Sequence, residues 1–258
     1  MRIALGVEYD GASFCGWQSQ PNGCGVQDAL EAAIASIAQH PIRVHAAGRT
    51  DTGVHALMQV VHFDTTAIRP DNAWVRGVNA FLPETVRVIW SKVVTDDFHA
   101  RFSAQLRQYQ YLLVNHAVAP AILATKAGWY HLPLNLQAMQ QGANYLIGEH
   151  DFSAFRASEC QASTPIRTLH EASIEQFGHK FVFKFVANAF LQHQVRNMLG
   201  ALIYGNGKHP PEHIRDLLEQ QDRTISPPTF SANGLYLTGV GYDHIWQLPI
   251  EEQHIALI

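Results

Sequence analysis

The sequence predicts an α+β protein of two similar halves with mainly antiparallel sheets. Three observations predict it. Stretches of period-two and period-3.6 hydrophobicity alternate along the chain. Their order near the N-terminus, β-α-β-β-α-β, recurs after residue 105. The chain has 258 residues, 47% of them hydrophobic and 16% charged, enough to bury a substantial core. That length fits one large domain or two of roughly 130 residues.

Each element has its own warrant. Residues Ile3 to Tyr9 alternate with period two and read as a strand. Val26, Leu30, Ile34 and Ile37 recur at helical spacing, so 25–40 is an amphipathic helix. Residues 43–47 and 59–64 read as strands flanking a glycine-bearing loop. Trp74, Val78 and Phe81 suggest a second helix over 71–81, and 86–94 a further strand. This is the ferredoxin-like split unit. The second half repeats it, with a strand at 109–114 and a helix at 135–147 carrying Leu136, Met139, Ala143 and Ile147. Strands at 168–177 and 180–187 follow, the latter alternating Phe181, Phe183 and Phe185. Helices at 190–204 and 211–221 precede a last strand at 235–242. The halves are drawn as 1–105, holding the glycine-bearing loop, and 106–258, with a central cleft expected where they meet.

Eighteen apolar residues never run together, and the first residues carry charge too early for a signal segment. A soluble, cytoplasmic protein is expected. The net charge of -4 argues against a polybasic nucleic-acid binder, but its distribution qualifies that. From His209 onward there are seven acids against two bases, while residues 1–208 hold 16 bases and 15 acids. Thirteen of the 18 bases are Arg, whose planar fork suits phosphate or a stacked base. Cys15, Cys24 and Cys160 are odd in number and lack metal-ligand spacing, and the 15 His residues form no zinc motif. No metal and no disulfide are expected.

The segment Ala47-Gly48-Arg49-Thr50-Asp51-Thr52-Gly53-Val54-His55-Ala56 is the richest in chemistry. Two glycines permit a tight backbone path or close approach by a ligand. An Arg two residues before an Asp can hold its carboxylate ionised, making Asp51 a candidate nucleophile or general base. On residue types alone an ordinary turn reads as well, since Thr-Asp-Thr-Gly is turn chemistry.

This segment resembles the Gly-Arg-Thr-Asp-x-Gly-Val-His-Ala signature of tRNA pseudouridine synthases of the TruA family. The resemblance spans most of the chain. Tyr9-Asp10-Gly11-Ala12-Ser13-Phe14-Cys15-Gly16-Trp17-Gln18 is similar to the family's N-terminal block, followed by Val26-Gln27 and by Asn79 with Leu82-Pro83. Phe98-His99-Ala100-Arg101-Phe102-Ser103-Ala104 with Arg107-Gln108-Tyr109-Gln110-Tyr111 is similar to the central block. Asp151-Phe152-Ser153-Ala154-Phe155 and the run from Asn188 to Met198 complete the set. Two departures, Gly25 where Thr is common and the lead-in Thr229 to Asn233, lie outside the catalytic blocks.

The resemblance implies isomerisation of uridine to pseudouridine at positions 38, 39 and 40 of the tRNA anticodon stem-loop, without cofactor, by a homodimer. It implies Asp51 as the essential carboxylate, attacking ribose or base or removing a ribose proton, with Arg49 keeping it ionised. Tyr109 is implied to stack on the extruded uracil or assist loss of the C5 proton, although Tyr109 and Tyr111 read equally well as core. Arg49, Arg101, Arg107 and Arg196 are candidates for RNA contacts. His55 and His99 are implied as positioning residues at the substrate. Two alternatives stand beside this reading: a catalytically silent RNA-binding protein, and a uridine-modifying enzyme with Cys15 or Cys160 as nucleophile.

Overall fold

Alternating side chains make the N-terminal segment extended, and β1 (Arg2–Tyr9) forms the centre of a sheet. The computed structural model describes residues 1–70, 72–251 and 253–255. Ile3, Leu5 and Val7 have no solvent exposure, and Ala4 on the opposite face has none either, as expected of a strand covered on both sides.

After β1 the chain enters α1 (Val26–Ala38), whose Leu30, Ala33 and Ile34 are buried. Its start is fixed by the Asp28 carboxylate, which accepts from the Gly25 N–H at 2.9 Å, and its end by Gln39 in the left-handed region. The two-residue β2 (His45–Ala46) pairs with β3 (His55–Asp64). Antiparallel ladders join β1 to β3, with Leu5 opposite Val61, and to β4 (Val86–Val94), with Ile3 opposite Val93. The resulting strand order is β4-β1-β3-β2.

Between β3 and β4, residues 73–77 wind as a π-helix. Helical residues flank it at 72 and 78–79, so the helix expected over 71–81 ends two residues early, and its first residue, Asp71, lies outside the described residues. Trp74 packs against Phe63 with ring centroids 5.4 Å apart, but Phe81 is 59% exposed rather than on the buried face. The cause is Asn79. Its side chain donates to Val88 O and accepts from Val88 N, each at 2.8 Å, docking this stretch onto β4 before Phe81 is reached.

β5 (Ala104–Asn115) leads the chain from the first of two compact units, Met1–Arg107 with Tyr236–Ile258, into the second, Gln108–Leu235. In the second unit β6 (Gly128–Tyr130) lies parallel to β5, and α2 (Leu136–Asn144) is capped by the Asn135 side chain. β7 (Gly148–Asp151), β8 (Ile166–Phe177) and β9 (Lys180–Ala187) pair antiparallel in turn. Their order is β5-β9-β8-β7. Along β9 burial alternates, with Phe181, Phe183 and Phe185 inside. Burying each such ring stabilises by about 1.5–3 kcal/mol. α3 (Gln194–Gly205) is nearly all buried, and α4 (His213–Gln220) packs through Ile214, Leu217 and Leu218. The last strand, β10 (Leu235–Tyr242), returns to the first unit, where Tyr236 and Leu237 lie parallel beside His55 and Ala56.

The chain is thus a mixed α+β protein of mostly antiparallel strands with few helices. Among the described residues no helix is long and apolar enough to cross a membrane. One expectation fails: Cys15 and Cys24 are joined in a disulfide, and only Cys160 is a free thiol among the described residues. Local folding explains it. The Cys15 N–H donates to Cys24 O at 2.9 Å, bringing their Cα atoms to 5.4 Å, within disulfide reach.

Candidate active site

The loop from Ala47 to Val54 joins β2 to β3 in the first unit, and its backbone is fixed at several points. Ala47 N donates to Val60 O at 2.8 Å. The buried Gln59 side chain donates to Gly48 O at 2.7 Å. Trp17 N donates to Thr50 O at 3.0 Å, and Val54 N to Asp51 O at 3.1 Å. The Thr50 hydroxyl is 2.8 Å from the Tyr9 phenol. Burial pushes that phenol up to about 12, so it stays protonated and hydrogen-bonding at neutral pH. Two glycines make the path possible. Gly53 turns the loop at φ 81°, and Gly16, at φ 93°, lets its segment approach so closely that a Cβ would stand 2.8 Å from Thr50 O.

On this frame Asp51 is half-buried and Arg49 exposed. Thr50 between them is buried and bonded inward to Tyr9. Another guanidinium is tied to the same loop. Arg107 donates from Nη2 to Ala47 O at 3.0 Å and Arg101 O at 2.7 Å, and from Nη1 to Ala104 O at 3.0 Å. It links the Asp51 loop to the segment 98–103.

His55 is 2% exposed at the base of the loop. Its Nδ1 lies 3.0 Å from an Asp10 carboxylate oxygen and 3.1 Å from Gly11 N, and its ring stacks on Tyr236 at 4.7 Å. His99 is half-buried, and its Nδ1 accepts from Arg101 N at 3.1 Å and Phe102 N at 3.3 Å. Arg101 itself is exposed. The structure thus gathers Arg49, Asp51, His55, His99, Arg101 and Arg107 in the first unit.

Tyr109 and Arg196 belong to the second unit. Tyr109 is 8% exposed and meets Phe190 edge-on at 5.2 Å. Tyr111 is fully buried, its hydroxyl donating to Ser231 O at 3.0 Å, which settles it as a core residue. Arg196, on the first turn of α3, donates from Nε to Phe230 O at 2.9 Å. Asn197 beside it is buried, donates to Phe155 O at 2.8 Å and accepts from Arg223 at 3.1 Å.

Sequence reading singled out the loop but missed the residues that hold it, Tyr9, Gln59 and Trp17, and Arg223 behind α3. Tyr9, Trp17 and Arg223 carried a signal only as members of blocks or counts. Gln59 carried none beyond being a polar residue in an apolar strand.

In the first unit this loop displays a carboxylate, and Arg107 is tied to the loop's backbone. Comparison with known proteins defines the class. A sequence profile described as tRNA pseudouridine synthase matches residues 6–103 and 143–243. The chain is 64% identical, over all of its length and 99% of the relative's, to the tRNA pseudouridine synthase A of Methylobacillus flagellatus. It is 58% identical to that of Nitrosomonas eutropha, over 96% of this chain and 90% of the relative. It is 55% identical to that of Nitrosomonas europaea, over 97% and 92%. The chain belongs to the tRNA pseudouridine synthase family, and is an isomerase that turns uridine into pseudouridine in tRNA.

Proposed function

We propose that this isomerase acts at uridines 38, 39 and 40 of the anticodon stem-loop, with Asp51 as the essential carboxylate. The observation that carries the reading is the fixed backbone of the Ala47–Val54 loop beneath a half-buried Asp51. A reacting group held in place beforehand loses little entropy on the way to the transition state.

The reaction breaks the bond from uracil N1 to ribose C1′ and makes one from C5 to C1′; the C5 proton leaves and N1 takes up a proton, so the composition is unchanged. Nothing is oxidised or reduced, and the reading includes no cofactor. Attack on ribose, attack on the base and removal of a ribose proton all use Asp51 as its carboxylate. Extruding the uridine from a folded stem-loop costs a few kcal/mol. Stacking on an aromatic ring returns about 1–3 kcal/mol per base, and Tyr109 is the ring assigned to it. Arg49, exposed at the loop, is assigned to keeping Asp51 ionised and to the RNA, the latter together with Arg101 and Arg196. Arg107 joins the loop to the segment 98–103 and supplies positive charge at the site. His55 and His99 position the backbone on either side.

The strand order β4-β1-β3-β2 supports a ferredoxin-like half over 1–105, carrying Asp51, with a second half, 106–258, completing the RNA surface, whose last residues 236–258 belong to the first compact unit. A cytoplasmic homodimer without metal completes the reading. Tritium release from C5-labelled uridine in tRNA tests it. Asp51→Ala abolishes release and keeps tRNA binding; release at the wild-type rate would remove Asp51 from the mechanism.

A further inference from the structure

We propose that Phe102 is a stacking platform for an unpaired base of the tRNA, outside the residues assigned above to the reacting uridine. The inference rests on the tRNA-isomerase reading and adds a contact to it. Phe102 is 75% exposed, whereas Phe98 and Ala100 in the same segment are fully buried. An exposed ring of this size raises the question of what it meets.

The segment that presents it is rigid. Arg101 N and Phe102 N both donate to His99 Nδ1, and His99 N donates to the Ser103 hydroxyl at 3.0 Å. Ser103 N donates to His99 O at 2.8 Å, and Ala100 N to His62 Nδ1 at 3.1 Å. The Tyr242 hydroxyl donates to Ala100 O at 2.6 Å. Little order remains to be imposed when a ligand arrives, which favours binding.

The surroundings select a nucleic acid. The His99 ring backs the phenyl ring, centroids 4.3 Å apart at 34°, and the Arg101 guanidinium carbon lies 5.6 Å from its centroid. A base stacks on the open part of such a ring or on the guanidinium plane over it, and a phosphate pairs with the guanidinium. A protein interface of useful strength would need a contiguous apolar patch. Phe102 instead sits between Arg101 and Ser103, with His99 behind it. Arg107 also binds Arg101 O, so a base stacked here is coupled to the backbone of the Asp51 loop.

Steady-state kinetics on an unmodified tRNA transcript test the proposal, with affinity measured separately in an Asp51→Ala background. Phe102→Ala and Phe102→Leu raise KM and Kd about 5- to 150-fold, the span of one base stack, with kcat within twofold. Phe102→Trp restores both. Wild-type KM in Phe102→Ala would overturn the proposal. So would full rescue by Leu, which packs but does not stack. A change of oligomeric state in Phe102→Ala, with affinity for tRNA unaltered, would assign the ring to a protein interface instead. Melting temperatures of the variants separate these outcomes from misfolding. If the wild-type protein releases no tritium from tRNA, the function reading fails, whatever Phe102 does.

Discussion

The role proposed for Asp51 needs its backbone to stay in place, and the residues that hold it do so by hydrogen bonds spread over much of the first unit. Tyr9, Trp17 and Gln59 each secure one point of the loop. The carboxylate and the glycines were legible, because their residue types are unusual at that spacing. The direction of Arg49 was not, because two residues flanking a third in a loop converge or diverge with the backbone path. Histidines show the same gap. His62, 1% exposed, packs against His99 at 4.6 Å and His45 at 5.0 Å, an arrangement without local sequence signal. Burial first, then the charges of His99, Arg2 and His45, holds His62 down to about 3. The unfolded chain therefore binds a proton that the folded chain refuses between that value and the usual histidine pKa near 6.5. The stability this brings is complete above about 6.5 and declines as pH falls, by up to about 1.4 kcal/mol per unit. Urea midpoints at pH 7 and pH 5 check it. His62→Asn, which keeps an acceptor for Ala100 N, is expected to lose less between the two pH values than the wild type. An equal loss would show that His62 is not the group responsible.

At the scale of elements, patterning was most legible where a strand has one covered face. The expected bounds of β4 and β9 agree with the structure, because alternating side chains fix register as well as extent. β6 and β7, at three and four residues, are too short to show a period. The stretch expected as a helix over 71–81 ends early because a side-chain amide docks on a neighbouring strand, and no helical pattern reveals that contact. The disulfide is a similar case: a separation of nine residues is compatible with many paths, and pairing depends on the turn that joins them. Closing a loop of about ten residues is worth about 2–3 kcal/mol in the chain-entropy account. Cys15→Ser with Cys24→Ser is expected to lower the denaturation midpoint accordingly. Replacing all three cysteines should still leave pseudouridine formation intact, as measured by tritium release. Loss of activity in a variant that remains folded would revive a cysteine nucleophile.

For the whole molecule, the net charge of -4 misleads because it averages a near-neutral, Arg-rich body with an acidic last fifth. Three of the acids, Asp216, Glu219 and Glu212, lie on or beside α4, where Arg215 is 3.7 Å from Asp216 and 3.8 Å from Glu219. Another, Glu252, lies outside the described residues. The order of elements was readable along the chain. The return of β10 to lie beside His55 and Ala56 was not, since a parallel pair so distant in sequence leaves no local trace. That return matters for the site, because it places Tyr236 against His55 at the base of the Asp51 loop. In the proposed function a fixed carboxylate on this loop isomerises uridine in one part of tRNA. The direct measurement is position-by-position mapping of pseudouridine in an unmodified tRNA transcript carrying uridine at 38, 39 and 40, after incubation with the purified wild-type or Asp51→Ala protein. The account predicts pseudouridine at those positions with the wild type and none with Asp51→Ala. Pseudouridine confined to another arm of the tRNA, or formed equally by both proteins, would contradict it.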